Sequence, residues 1–231
     1  MDGLSGLELF EVGETTLTVR NLIGAENLDV RKSTLRLRLV ALSMHRDATA
    51  ALFDDDEELA RRAIDRDAEA DKLYALLTRC FRRAVADLQE VERLGYARGS
   101  LFEYYYIGRQ FERVADHAER IASLTLEADA TVPERYRDEI ADLAERAQRD
   151  VERASEVLLG SADVDTVHRV LADRDDLLED IEALDRQLYD HGSAAEAHLV
   201  GRLLDSVRRT AEYAGNVARM MVQRTARQSE P

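Results

Sequence analysis

Leu101-Phe-Glu-Tyr104-Tyr-Tyr-Ile-Gly108-Arg-Gln-Phe111-Glu112-Arg-Val-Ala115-Asp116-His117-Ala118-Glu-Arg-Ile-Ala122 is the stretch that decides the fold. Leu101, Tyr104, Gly108, Phe111, Ala115, Ala118 and Ala122 recur in alternating steps of three and four, which lays them on one stripe of a helix. Upstream, Ala60, Ile64, Asp67, Asp71, Tyr74, Thr78, Phe81, Val85 and Leu88 repeat the same steps, the period of helices packed in a bundle. That second helix should begin near Asp54–Asp56, whose acids suit a helix N-terminus. Before it, Leu35, Leu39 and Leu42 mark a first helix that Ser33 or Thr34 could cap. Gly95 and Gly99 mark the turn between the second helix and the third.

Pro133, behind Thr131, interrupts the chain and suits the first turn of a fourth helix. Tyr136, Ile140 and Leu143 open that helix's apolar face, and Gly160 ends it. Two more helices are readable near 164–190 and 195–226, with His191-Gly192-Ser193 between them. Residues 7–23 read differently: Leu17 and Val19 alternate with threonines and Gly13 follows the Leu7–Val12 run, the pattern of a hairpin. The expected protein is all-α, a tandem repeat of two three-helix bundles with a short β-like N-terminal segment. Its expected divisions are an extension or linker over 1–32, a first repeat over 33–131 and a second over 132–231.

The halves are related. Asp67-Ala-Glu-Ala-Asp71-Lys-Leu73 corresponds to Asp175-Asp-Leu-Leu-Glu179-Asp-Ile181. Glu112-Arg-Val-Ala-Asp116-His-Ala-Glu-Arg-Ile-Ala122 corresponds to Arg208-Arg-Thr-Ala-Glu212-Tyr-Ala-Gly-Asn-Val-Ala218. Two motifs in the same order, twice, point to a duplicated unit.

Of 231 residues 45% are hydrophobic, enough for a core, and 47 acids against 32 bases leave a net charge of −15. Such a field repels phosphodiester backbones and anionic lipid, so nucleic acid is not an expected partner. Lys32 and Lys72 are the only lysines; every other cation is arginine. An acid-rich, lysine-poor surface suits an extreme halophile, where salt screens self-repulsion. One cysteine, Cys80, forbids an internal disulfide and fits a reducing cytosol. No uncharged apolar run approaches a membrane span, and no signal peptide opens the chain, so a cytoplasmic protein is expected.

The two motifs carry a family resemblance. Glu112-Arg113-Val-Ala-Asp116-His117-Ala-Glu-Arg-Ile121-Ala122 resembles the signature helix of PhoU, the phosphate-uptake regulator, and Asp67-x-x-x-Asp71-x-Leu73 resembles that family's preceding helix. The likeness covers roughly residues 33–227. Residues 1–32 lie outside it and resemble the stretch that, in archaeal relatives, joins a small AbrB-like DNA-binding domain to the PhoU region; that domain is not expected here. The resemblance implies tandem three-helix bundles and a non-enzymatic regulator of phosphate uptake. It implies partnership with the ATPase subunit of a phosphate ABC transporter, which would hold the protein peripheral to the membrane, and in bacteria also with a sensor kinase. A homodimer is left open. Metal binding is implied too, through Asp67, Asp71, Glu112 and Asp116 in the first repeat and more weakly through Asp175, Glu179 and Glu212 in the second. The implied ions are divalent or iron (Mg, Mn, Fe or Zn).

Physical chemistry sets the strength of that last point. Carboxylates at i and i+4 share one helix face, and two such pairs on neighbouring helices could converge on a hard cation. Yet acids fill about one position in five, so about nine acid-x-x-x-acid pairs arise from composition alone. A solvated face is the default. The first-repeat set stands out because Asp67 and Asp71 fall in a seam with Ile64, Tyr74 and Phe81, where unpaired charge is costly; a salt-bridged polar seam is the rival reading. In the second repeat Arg208 replaces the acid at the position of Glu112 and should join Asp175, Glu179 and Glu212 in an arginine–carboxylate network.

Other signals are weaker. His117 is better read as hydrogen-bonded than as a ligand, His45 as structural or exposed, Cys80 as a small buried hydrophobe, and Tyr104, Tyr105 and Tyr106 as packing residues. No Gly-rich phosphate loop or nucleophile elbow occurs. A carboxylate-bridged di-metal oxidase or metal store also uses helical bundles, but it needs Glu-x-x-His on two helices. The residues three before each histidine are Leu42, Val114, Asp165, Leu188 and Ala195, so that enzyme class is disfavoured.

Overall fold

The computed structural model describes residues 7–12, 17–21, 29–127, 131–159 and 163–228. Gly13 and Gly160, read as a turn and a helix stop, lie outside them. Two short strands, β1 (Leu7–Val12) and β2 (Leu17–Asn21), pair antiparallel with Leu9 opposite Val19 and an irregular step between Leu9 and Glu11. Everything described after them is helical: α1 (Val30–Asp54), α2 (Glu57–Asp65), α3 (Asp67–Ala86), α4 (Leu88–Leu94), α5 (Arg98–Glu127), α6 (Glu134–Leu159), α7 (Val164–His191) and α8 (Ala194–Gln228).

The first unit packs α1, α2 and α3 around α5, and the second packs α6, α7 and α8 on one another. The signature helices α5 and α8 also pack together and join the halves. Its central place explains why α5 is buried on more than the stripe read from sequence. Leu101, Tyr104, Phe111, Ala115, Ala118 and Ala122 are buried as expected, and so are Ile107, Val114, Ile121 and Leu124.

Three expectations need correction. First, α1 starts before Ser33: the Asp29 side chain caps it by accepting from the Lys32 N–H, while the Ser33 and Thr34 hydroxyls donate back to the carbonyls of Asp29 and Val30. Leu39 faces solvent, and Leu37, Val40 and Met44 carry the core face.

Second, the long second helix is three helices. At Arg66 the backbone N–H is shared between the carbonyls of Ala63 and Ile64, a tightened turn, and at Asp87 an extended residue caps α4. The break moves the seam by a residue. Ala60, Ala63, Ala70, Leu77, Cys80 and Ala84 are buried; Ile64, Tyr74 and Phe81 flank them; Asp71, Val85 and Leu88 are exposed.

Third, Gly95 makes the turn before α5 with a left-handed φ of 70°, but Gly99 belongs to the helix itself. α8 begins with a reciprocal capping box: Glu196 N–H donates to Ser193 Oγ, and Ser193 N–H donates to Glu196 Oε2.

Candidate functional site

Asp67 opens α3 directly after the Arg66 break, with Asp71 one turn on; Glu112 and Asp116 stand one turn apart on α5, which packs against α3. Glu112 is buried, Asp67 and Asp116 are half-buried, and Asp71 is exposed. The four acids feel one another. Burial pushes the Glu112 carboxyl up to about 7, with Asp116 and Asp71 adding repulsion against the pull of Arg109. Burial also lifts Asp67 to about 6, helped by Glu119, Asp71 and Asp116. Asp116 is raised by burial despite Arg109 and Arg113.

Two oxygens of this set, Asp67 Oδ1 and Glu112 Oε2, are buried without a hydrogen-bond partner. Unpartnered carboxylate oxygens are the donor chemistry that a hard cation takes. Among the described residues, though, no three His, Cys, Asp or Glu side chains are arranged to hold an ion together. One cause is visible. Arg109 Nη1 lies 2.5 Å from Glu112 Oε1, and its guanidinium carbon stands 5.3 Å from the centre of the Tyr74 ring. Arg109 escaped sequence reasoning because it lies outside the paired motif, and Glu119 because it is not one of the motif's i, i+4 acids, although each is three residues from a motif acid, at the spacing where helix side chains meet.

The second half gathers its acids differently. Asp175 pairs with Arg174 at 2.5 Å, Glu212 with Arg209 at 2.8 Å, and Arg208 with Glu182 at 3.7 Å, so Arg208 does not join Asp175, Glu179 and Glu212 as expected. Glu179 is exposed. An arginine does occupy the interior, but it is Arg174, seated over Gly215: a Cβ there would lie 2.8 Å from Arg174 Nη1. Gly215 corresponds to Glu119 of the first half.

Both histidines of the first half are buried at the junction of the halves. The Gln148 amide of α6 meets His45 Nδ1 at 2.9 Å; His117 reaches Ser206 at 3.3 Å and Tyr213 at 3.4 Å, both on α8. Burial drives each down to about 4, so both rings are neutral at pH 7. His117 therefore faces α8, not the carboxylates. Tyr105 stacks between Tyr74 and Phe81, and Tyr104 is buried edge-on to Tyr96, so the three consecutive tyrosines serve packing. Cys80 is buried, and burial raises its thiol pKa, which keeps it inert.

Fold and site together define two linked helical units with a clustered acidic face on the first. Residues 34–125, the unit that carries this face, match the PhoU domain family. The chain is similar in fold to PhoU from Pseudomonas aeruginosa, at 20% identity with a TM-score of 0.75, covering 87% of this chain and 98% of that one. It is also similar to the phosphate transport system regulatory protein PhoU from Streptococcus pneumoniae, at 17% identity and a TM-score of 0.68, covering 84% and 91%. No curated protein matches the sequence. Among the described residues no helix is long and apolar enough to cross a membrane.

Proposed function

We propose that this chain is a non-enzymatic regulator of phosphate uptake, a cytoplasmic helical adaptor that acts on the ATPase subunit of a phosphate ABC transporter. A match to the PhoU domain on the unit that holds the acids supports this reading. The same reading gives Asp67, Asp71, Glu112 and Asp116 a hard cation. The ion would supply the positive charge these carboxylates otherwise lack, while α3 and α5 hold the oxygens in place and the surrounding apolar side chains limit water. The di-metal oxidase alternative finds no support, since both buried histidines of this unit are engaged by residues of the other half.

Two experiments test the proposal. Deleting the gene should deregulate phosphate uptake, and the protein should co-purify with a transporter ATPase when phosphate is plentiful; transport unchanged across starvation and repletion would refute the regulatory role. Calorimetric titration with Mn²⁺ in high salt should show binding that falls with Asp71→Asn or Asp116→Asn and changes little with Glu179→Gln or Glu212→Gln. Binding that survives the first-half substitutions but not the second-half ones would refute the assignment. Mn²⁺ at a hundred times its Kd should also stabilise the fold by about 2.7 kcal/mol.

A further inference from the structure

We infer that the second half carries a site for hydrogen phosphate, formed by Asp150 and three arginines of α6. This rests on the regulatory reading above and deepens it by naming the effector the protein would bind. Arg146, Arg149, Asp150 and Arg153 share one face of α6, and Asp173 and Asp176 stand one turn apart on α7, which packs against it. Together they line a cavity of about 210 Å³. Asp150 is only 3% exposed, and its Oδ2 is buried without a hydrogen-bond partner. A carboxylate with guanidiniums at i−4 and i+3 would ordinarily take one of them. Here they turn elsewhere: Arg146 Nη1 goes to Asp180 at 2.6 Å, Arg153 Nη1 to Asp173 at 3.0 Å, and Arg149 Nη2 to Asp142 at 4.0 Å. Each of these pairs engages one nitrogen of a group with five N–H donors.

The chemistry of the lining selects the occupant. Three guanidiniums disfavour a cation and hold out N–H donors to oxygen, whereas the buried Oδ2 needs a hydrogen from the ligand. Burial and Asp173 keep the Asp150 carboxyl up at about 7 against the pull of Arg153, Arg146 and Arg149, so above pH 7 it is an ionised acceptor with an unmet demand. The acids of α7 cannot meet it, because carboxylates only accept. A fully ionised oxyanion such as sulfate would set lone pair against lone pair there. Hydrogen phosphate offers acceptor oxygens to the arginines and its own hydroxyl to Oδ2. A phosphate monoester has lost that proton by pH 8 and lacks the donor. The cavity is several times the ~30 Å³ that one water takes up in the liquid, room for a five-atom oxyanion.

The test is calorimetric titration of the full chain at pH 8, in high potassium chloride, with inorganic phosphate, sulfate and glycerol phosphate. Wild type should bind phosphate at least about tenfold more tightly than either of the others. Asp150→Asn, whose amide can donate where the carboxylate only accepts, should bring the three anions within about threefold of one another. Arg149→Gln, at an exposed position, should weaken phosphate binding about tenfold and leave helical circular dichroism unchanged. Should Asp150→Asn not fold, the wild-type preference and the loss in Arg149→Gln decide. Equal binding of the three anions by wild type, a preference that survives Asp150→Asn, or binding undiminished in Arg149→Gln overturns the site. No phosphate binding overturns it too but leaves the regulatory role standing, since phosphate uptake in the deletion strain decides that role. Selective binding by a chain whose deletion leaves uptake unchanged keeps the site and refutes the role.

Discussion

Replacing His45 by glutamine should make the protein less sensitive to acid. The imidazole is fully buried on α1 with Nδ1 against the Gln148 amide of α6 and Nε2 lacking any partner. Burial, together with the charges of His117 and Arg46, lowers its pKa from 6.5 to about 4. Below pH 6.5 the unfolded chain takes up a proton at this position and the folded chain refuses it. Stability held above pH 6.5 is therefore lost as pH falls toward 4. Between pH 7 and pH 5 the loss at this one residue is about 2 kcal/mol.

Three carboxylates act in the opposite sense. Asp150 and Glu112 are pushed up to about 7 and Asp67 to about 6, so they favour the folded state at low pH and lose that contribution as pH rises through those values. The wild-type pH profile alone is a sum of opposed slopes, and only a difference isolates His45. Glutamine does not titrate and still offers an acceptor to Gln148. At pH 7 the His45→Gln variant should be less stable by about 1–2 kcal/mol from lost packing. At pH 5 the gap should close or reverse. Urea unfolding followed by helical circular dichroism, at constant salt, measures both. Parallel curves with a constant gap, or a His45 resonance titrating above pH 6, would refute the reasoning.

Packing and capping give further outcomes. Gly108→Ala should cost about 1–3 kcal/mol, since its Cβ would collide with Leu77 Cδ1 inside the α3–α5 contact; adding Leu77→Val should recover part of the loss in denaturant unfolding. Phe111→Ala, at the centre of α5, should cost about 3–5 kcal/mol in the same assay. Asp29→Ala should cost about 1 kcal/mol, because it removes the α1 cap and also the acceptor of the Tyr96 hydroxyl, and hydrogen exchange should quicken in the first turn of α1.

How far the fold could be read depended on which side chains carried the signal. On α5 the stripe held Leu101, Tyr104 and Phe111, and large apolar residues at helical spacing give their phase away. On α2 and α3 the core face is built largely from Ala60, Ala63, Ala70 and Ala84, which weigh little in any hydrophobic pattern. The larger Val85 and Leu88 drew the seam toward themselves, yet both stand on the surface. A one-residue break at Arg66 then shifted the phase, and no proline or glycine announces it, because the break is made by a shared backbone hydrogen bond. The start of α1 was missed for a related reason: Asp29, Ser33 and Thr34 are all good capping residues, and only the path of the preceding chain selects among them.

The acidic site was legible as far as the motif extended, and the duplication shows why no further. Glu112 and Asp116 recur as Arg208 and Glu212, so sequence placed a cation among the second-half acids and chose Arg208 for it. Long side chains at a half-exposed position take the nearest acid, and Arg208 turns toward Glu182 while Arg209 takes Glu212 within its own helix. The interior place passes to Arg174, which the sequence offers no reason to single out until Gly215 is recognised as the gap it fills. In the first half the corresponding position holds Glu119, whose charge adds to the repulsion on Asp67. The acid-for-glycine exchange thus accompanies a unit whose motif acids lie beside Arg109 and Arg113, and one whose Arg174 is seated over the glycine. The two halves therefore differ in where an arginine sits relative to the acids as well as in the number of acids in each motif.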